Sequence, residues 1–247
     1  GLERIKVNKN PKKYGVIKAI NTLEHPEKLK LGEQIGGAIL LNEQNACPFK
    51  AFAHFQLGLR PMVRDDLWLN NKLKGIAIHR ILERIWQILK TQATLLSLSE
   101  QELTTLVYSI TTEVMASLSQ SKQFFFPDVL VKLEIKRIKK LIFLWLQSEK
   151  KRPEFKVIST EAKSLAYFNT LVITLRIDRV DQLSNGKNII IDYKTGCVNV
   201  RDWFISPMQD MQLPLYILTH EAVDAIIAHV SLEPKFLGVI EENTESF

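Results

Sequence analysis

At 247 residues, with 46% hydrophobic and 24% charged residues, the chain can bury a sizeable core and reads as an ordinary soluble globular protein, either one domain or a small core with a helical attachment. Lys and Arg number 33 against 27 Asp and Glu, and the net charge of +6 suits a polyanionic partner. The longest unbroken apolar run, Leu141 to Leu146, is far short of the roughly 20 residues that cross a bilayer, and two cysteines, Cys47 and Cys197, exclude a disulfide framework and fit a reducing compartment.

The chain starts at Gly1 without a Met and shows no charged-then-apolar leader, so a fragment of a longer protein is expected. Residues 1 to 70 read as a leader segment, with turn-forming clusters at Asn8 to Lys13, His25-Pro26 and Gly36-Gly37. One short helix is expected there, "NACPFKAFAHFQLG", ended by Gly58 and Pro61. Residues 71 to 150 form a helical section. Apolar residues at 78, 81, 82, 85, 88 and 89 mark one face of a helix from Leu73 to about Thr91. Ser99 with Glu102 three later is a capping box that opens a second helix, running to about Ser117. A third, about Asp128 to Gln147, should turn Leu130, Leu133, Ile138, Leu141 and Leu144 inward, and Lys132, Lys136, Lys139 and Lys140 outward.

After Pro153 the period changes from that of a helix to that of a strand. Residues 151 to 247 carry strands at Phe155 to Ile158, Leu171 to Val180 and Asn188 to Tyr193, then a helix from about Gln209 to Ala222 and a strand from Ala225 to Ser231. The order describes an α/β core behind a helical section, with no clean linker between them.

The unusual feature is where the charges fall. Asp178 ends the alternating stretch "LVITLRI", and Asp192 and Lys194 share one face of the returning strand with Ile190. Asp178 meets Asp192 only if paired residue numbers sum to 370. A two-residue Asn185-Gly186 turn gives 371 and turns Asp192 to the wrong face; a three-residue Ser184-Asn185-Gly186 loop, with Gly186 left-handed, gives 370. In that register the two carboxylates lie side by side with Lys194 one step along. Such a pair repels and is costly to bury without a counter-ion, which a divalent cation supplies; oxygen ligands suit Mg²⁺. The competing reading is that Asp178, Arg179 and Asp181 are ion pairs at a hairpin end, and that Asp-x-Lys is a coincidence of composition.

Taken together, "RIDRVD…IIIDYKTG", the preceding "GIAIHRILERIW", the following "MQLPLY" and the early "CPFKAFAHFQLGLRP" resemble the nuclease domain of RecB- and AddB-type helicase–nucleases, a branch of the PD-(D/E)xK phosphodiesterases. The likeness to proteobacterial AddB-like DNA repair proteins spans roughly residues 36 to 240 as ordered islands. It implies a restriction-endonuclease-like core, α-β-β-β-α-β with a mixed sheet, carrying an added N-terminal helical section. It also implies a Mg²⁺-dependent deoxyribonuclease, with Mn²⁺ as a substitute, that acts on DNA ends in the bacterial cytoplasm beside a helicase subunit or a helicase-like remainder of the chain. By position, Asp178 and Asp192 match the metal-binding acids and Lys194 the active-site lysine. His79 matches a further ligand and the Tyr193 carbonyl another. Glu161, in "VISTEAKS", is the candidate for an additional acid. Gln212 and Tyr216 match a Gln-x-x-x-Tyr element that orients the lysine or touches DNA.

Many members of that branch hold an iron–sulfur cluster on four cysteines. Cys47 stands where the first would be and the other three are absent, so no cluster is expected in this fragment; Cys197 reads as an ordinary buried thiol. Arg176 stands where relatives often have a small residue and is expected to face a phosphate. The Lys-rich helix 132–140 and Lys150-Lys151-Arg152 are candidate DNA-facing surfaces, and Trp203 is a candidate to stack on a base. A different class of function stays open: a non-cleaving scaffold that binds DNA or a helicase subunit and keeps the motif.

Overall fold

Gly37 and Cys47, both with extended backbone, bracket the first helix, α1 (Ala38–Ala46). The computed structural model describes residues 37–60, 71–119, 127–168, 171–196, 210–219 and 224–239, all in one compact unit, Leu31–Phe247. The turn clusters before Gly37, together with Pro61, Cys197 and Trp203, lie outside the described residues. Pro48 opens α2 (Pro48–Ala51) at a position where its missing N–H costs nothing, and a π turn follows over Phe52–Gln56. Gly58, at φ 65°, takes the left-handed conformation that stops it. The single helix expected over 45–58 is therefore divided, and α1 precedes it. No residue of α1 is buried, so it shows no apolar stripe. What places it is tertiary: Ala38 and Leu41 rest on a core cluster, and Asn42 Oδ1 accepts the Met211 N–H at 2.9 Å.

The helical layer follows its apolar spacing. Helix α3 (Asn71–Leu89) buries Ile78, Ile81, Leu82, Ile85 and Leu89, as expected, while Ile88 points outward. A short helix absent from the sequence reading, α4 (Gln92–Ser97), starts where Thr91 caps the Thr94 N–H at 3.1 Å. The capping box opens α5 (Glu100–Ser119): Ser99 Oγ accepts from the Glu102 N–H at 3.2 Å and Glu102 Oε2 from the Ser99 N–H at 2.8 Å. Helix α6 (Asp128–Glu149) buries Ile138, Leu141, Ile142, Trp145, Leu146 and Glu149, with Val131 and Ile135 partly covered. Leu133, expected inward, is exposed, because it sits about 200° around the helix from Val131 and so lies off that stripe. Leu130 and Leu144 are half-buried.

Among the described residues, five strands form one sheet in the order β1 (Phe155–Phe168), β2 (Leu171–Leu183), β3 (Asn188–Lys194), β4 (Asp224–His229) and β5 (Lys235–Val239). Neighbours are antiparallel except β3 and β4, which are parallel and joined through helix α7 (Gln212–Thr219). This is the restriction-endonuclease-like arrangement that the sequence implies, with β5 added. Strand β1 runs ten residues past the expected Ile158, because pairing with β2 carries "STEAKSLAYF" where its weak β-propensity does not. At the β2–β3 turn, Gly186 (φ 83°) donates to the Leu183 carbonyl and Leu183 to the Lys187 carbonyl, both at 2.9 Å. That is the three-residue loop, and Arg179↔Ile191, Val180↔Ile190 and Asp181↔Ile189 follow in the register that sums to 370.

Strand β3 is buried on both faces. Ile189, Ile191 and Tyr193 join the core under α3, α5 and α6, and Ile190 joins a second core with Ile173, Leu175, Ile177, Leu215 and Tyr216. Within the first core lies a closed set of charges. Arg179 donates to both oxygens of Glu149 (2.7 and 3.2 Å) and of Asp181 (2.6 and 2.5 Å), and to Tyr193 Oη at 3.0 Å. Arg152 adds 2.7 Å bonds to each acid. Trp86 lies 4.0 Å from the Arg179 guanidinium, and Phe155 4.3 Å from that of Arg152. Arg152 is thus a core residue and not part of a DNA-facing cluster. Two acids and two guanidiniums neutralise one another. Although burial opposes ionisation of Glu149, the two arginines outweigh it and hold its carboxyl below the usual range. Replacing Arg179 by Met leaves two buried carboxylates to Arg152 alone, so a loss of about 3–5 kcal/mol is expected in denaturant unfolding. A loss under about 1 kcal/mol would show that these charges do not hold the sheet to α6.

Candidate metal centre and catalytic site

Three elements converge at the open end of the β2–β3 pairing. The ladder stops at Arg179–Ile191; one step on, the Tyr193 N–H donates to Asp178 Oδ2 at 2.7 Å. Helix α3 brings His79 Nδ1 to 3.3 Å from the same oxygen, and the His79 ring stands edge-on to Tyr193, with centroids 5.9 Å apart. Strand β1 contributes Glu161, held at φ 51°, an unusual conformation for a residue other than glycine. His79, Glu161 and Asp178 offer ligand atoms that all lie within 4.8 Å of one another. On the far side of Tyr193, the Val230 N–H takes the Lys194 carbonyl at 2.8 Å. Backbone alternation then turns the Tyr193 carbonyl, like its N–H, toward β2.

Asp192 and Lys194, two apart on one face, are 2.8 Å apart, and Gln212 at the start of α7 ties them together. Its Oε1 accepts from Lys194 Nζ at 2.7 Å, and its Nε2 reaches Asp192 Oδ1 at 2.6 Å and Tyr216 Oη at 2.8 Å. Tyr216 in turn donates to the Arg176 carbonyl at 2.6 Å, which fastens α7 to β2. All nine residues singled out from the sequence lie around this centre. Two of them have partners that the sequence reading did not assign. Arg176, expected to face a phosphate, ion-pairs with Glu161, diagonally across the β1–β2 ladder. Asp178 turns its carboxylate to His79 and the Tyr193 N–H, and its charge also acts on Asp192.

The electrostatics are those of an under-neutralised pocket. Burial pushes the Asp192 carboxyl up to about 6, and the Asp178 charge adds to the rise, against the opposing pull of Lys194. Burial, again with Asp178, raises Glu161. Burial disfavours a charged His79 and a charged Lys194, but the Asp178 carboxylate outweighs it at the imidazole and Asp192 at the ammonium, so both are raised. Asp192 Oδ2 is fully buried and accepts no aligned hydrogen bond, although Lys194 sits beside it. Clustered carboxylates and a ring nitrogen within 4.8 Å of one another fit a hard divalent cation.

Two contributors were given no role in the site from the sequence. Glu83, one helical turn beyond His79, adds negative charge near Glu161, and Asp210 adds it near Lys194 while accepting the Gln212 N–H at 3.0 Å. The i, i+4 spacing from His79 and an acid two residues before a helix are the signals that pointed to them. The buried charge set was legible as Arg179 and Asp181 alternating with Asp178 on the strand, but their burial was not.

A family profile described as the PD-(D/E)XK nuclease superfamily matches residues 40–230, well over half of the chain. None of the curated proteins compared with it matches the chain. Among solved structures, one titled "Crystal structure of SSO0001" is similar at 16% identity over 70% of this chain and 80% of that one, with a TM-score of 0.29; at that score the likeness carries no argument.

Asp192 also sets a pH dependence of stability in the absence of metal. Its folded value of about 6 lies above the ordinary 3.8, so its protonated form is favoured by folding, and stability falls as pH rises through that interval. The raised His79 acts in the same direction. In a chelator, Asp192→Asn is expected to be more stable than the parent at pH 7.5 by about 2 kcal/mol, with the gap closing toward pH 4, as read by urea unfolding. An equal gap at both pH values would contradict this reading.

Proposed function

Because this chain belongs to the PD-(D/E)XK nuclease superfamily, whose members are in general metal-dependent nucleases, we propose that it hydrolyses the phosphodiester bonds of DNA with Mg²⁺, and that Mn²⁺ substitutes. The observation that carries the reading is the acid cluster in which His79, Glu161 and Asp178 offer ligand atoms within 4.8 Å of one another, with the buried Asp192 and its partner Lys194 beside it. Asp178, Asp192 and the Tyr193 carbonyl are the proposed ligands, with His79 completing the set and Glu161 supporting it. When bound, the cation supplies charge neutralisation at the scissile phosphate and a water that ionises near neutral pH.

The chain's own residues do the rest. Asp192 and Gln212 fix the Lys194 ammonium, so it enters the reaction already oriented toward the charge that develops on the phosphate. Tyr216 holds Gln212, and through the Arg176 carbonyl it holds α7 against the strand that carries Asp178. Arg176 is released from Glu161 once the acid takes another partner, and its exposed guanidinium is then free to face the backbone of DNA. The net charge of +6 and the outward lysines of α6 hold the polyanion without reading its sequence.

Within the superfamily we assign the chain to the RecB/AddB-type branch, supported by His79 and the Gln212–Tyr216 pair. That reading places it in bacterial DNA repair and recombination, in the cytoplasm, working with a helicase subunit. Among the described residues no helix is long and apolar enough to cross a membrane. The test is degradation of linear DNA with Mg²⁺, with Asp192→Ala and Lys194→Ala alongside. Both variants are expected to lose activity by on the order of 100-fold or more. No cleavage by the parent with any divalent metal would favour a scaffold instead.

A further inference from the structure

Beyond Glu161 the β1–β2 pair runs out past the rest of the sheet. The β2–β3 ladder ends at Arg179–Ile191, while β1 and β2 stay paired as far as Phe168 and Leu171. Alternation gives this ribbon two unlike faces. One is core: Ala166, Ile173, Leu175 and Ile177 are buried in a cluster with Leu215 and Tyr216 of α7, which holds the ribbon in place. The other carries Lys163, Leu165 and Tyr167 of β1 and Arg176 of β2, all exposed, Tyr167 to 70%.

The charges on that outer face are placed at a cost. Lys163 stands directly opposite Arg176, and like charges so placed destabilise an antiparallel pair. Glu161 takes the Arg176 guanidinium, and Lys163 has no ion pair among the described residues. Two cations with an exposed aromatic ring and a leucine farther out suit an anionic ligand that also has apolar parts, which is the make-up of a sugar–phosphate chain. The face joins the acid centre directly, because the acid that Arg176 grips is one of the three residues whose ligand atoms cluster within 4.8 Å. At about 3.3 Å per residue, Lys163 stands about 7 Å along β1 from Glu161 and Tyr167 about 20 Å, a run of about two and about six phosphates on one strand.

We propose that this face is a track for the DNA backbone on one side of the cut, with Lys163 on a phosphate close to the scissile one and Tyr167 against a sugar farther out. The proposal rests on the nuclease reading above and adds contact residues and a direction to it: the strand leaves the acid centre along β1 toward its Phe168 end.

The test titrates the protein into a short fluorescein-labelled oligonucleotide in EDTA, so that nothing is cut, using whichever of its single-stranded and duplex forms binds the tighter. Lys163→Gln is expected to lower the salt dependence of log K by about one unit of slope, the signature of one lost phosphate contact. Lys156→Gln, a change at an exposed lysine near the other end of β1, should leave the slope as it is. Tyr167→Ala should weaken binding by about five-fold and Tyr167→Phe should bind as the parent does, with melting temperatures unchanged throughout. A neutral methylphosphonate walked along the strand should weaken the parent at one position, within about three nucleotides of the bond cut in Mg²⁺, and leave Lys163→Gln indifferent there. Equal slopes for the parent and Lys163→Gln, or a sensitive phosphate far from the cut bond, in a protein that cuts DNA overturn the track alone. The expected slopes in a protein that never cuts overturn the nuclease reading and leave the DNA contact standing. Failure both to bind and to cut overturns both.

Discussion

The register of the β2–β3 ribbon is the constraint on which the rest of the structure depends. With Gly186 left-handed in a three-residue loop, Arg179 pairs with Ile191 and Asp181 with Ile189. That choice sends Arg179 and Asp181 under the helical layer, and Asp178 and Asp192 to the open end of the pairing. A slip of one residue would turn one strand over relative to the other, so that Asp178 and Asp192 would no longer share a face. One turn therefore serves both packing and chemistry.

The two groups of charge that result are built alike and balanced differently. Around Arg179, every carboxylate oxygen of Glu149 and Asp181 accepts from a guanidinium, and aromatic rings cover the remainder. The charges of that group balance within it, and its effect is to fix Tyr193 through its hydroxyl. On the other side of the same residue, Glu161, Asp178 and Asp192 have, among the described residues, Lys194, Arg176 and His79 as their basic neighbours. Tyr193 joins the groups: its side chain ends on Arg179, and its N–H ends on Asp178. The balanced cluster thus positions the acid-rich one through Tyr193.

Helix α7 completes the arrangement from a distance in sequence. Gln212 bonds both Asp192 and Lys194, and Tyr216 bonds Gln212 and the Arg176 carbonyl, so a single helical turn ties β3 to β2. Without that clamp, the ammonium and carboxylate of an Asp-x-Lys pair would remain a flexible surface pair of small energetic worth.

Local patterns in the chain were enough to read α3, the capping box of α5, the turn at Gly186 and the shared face of Asp192 and Lys194, because each rests on interactions a few residues long or on alternation along one strand; His79, Glu161, Tyr193, Gln212 and Tyr216 entered through the resemblance. Other features depended on partners remote in sequence. α1 has no stripe of its own and is seated by Asn42 on Met211; β1 continues past Ile158 only because β2 lies beside it; Leu133 drops out of the core because the stripe of α6 runs through Ile135 and Ile138. The same holds for Arg176 on Glu161 and for the burial of Arg152 and Arg179, since a charge looks alike on paper whether water or a second chain segment neutralises it. Periodicity announces which way a side chain points; what it meets there is set by how the distant layers close over it.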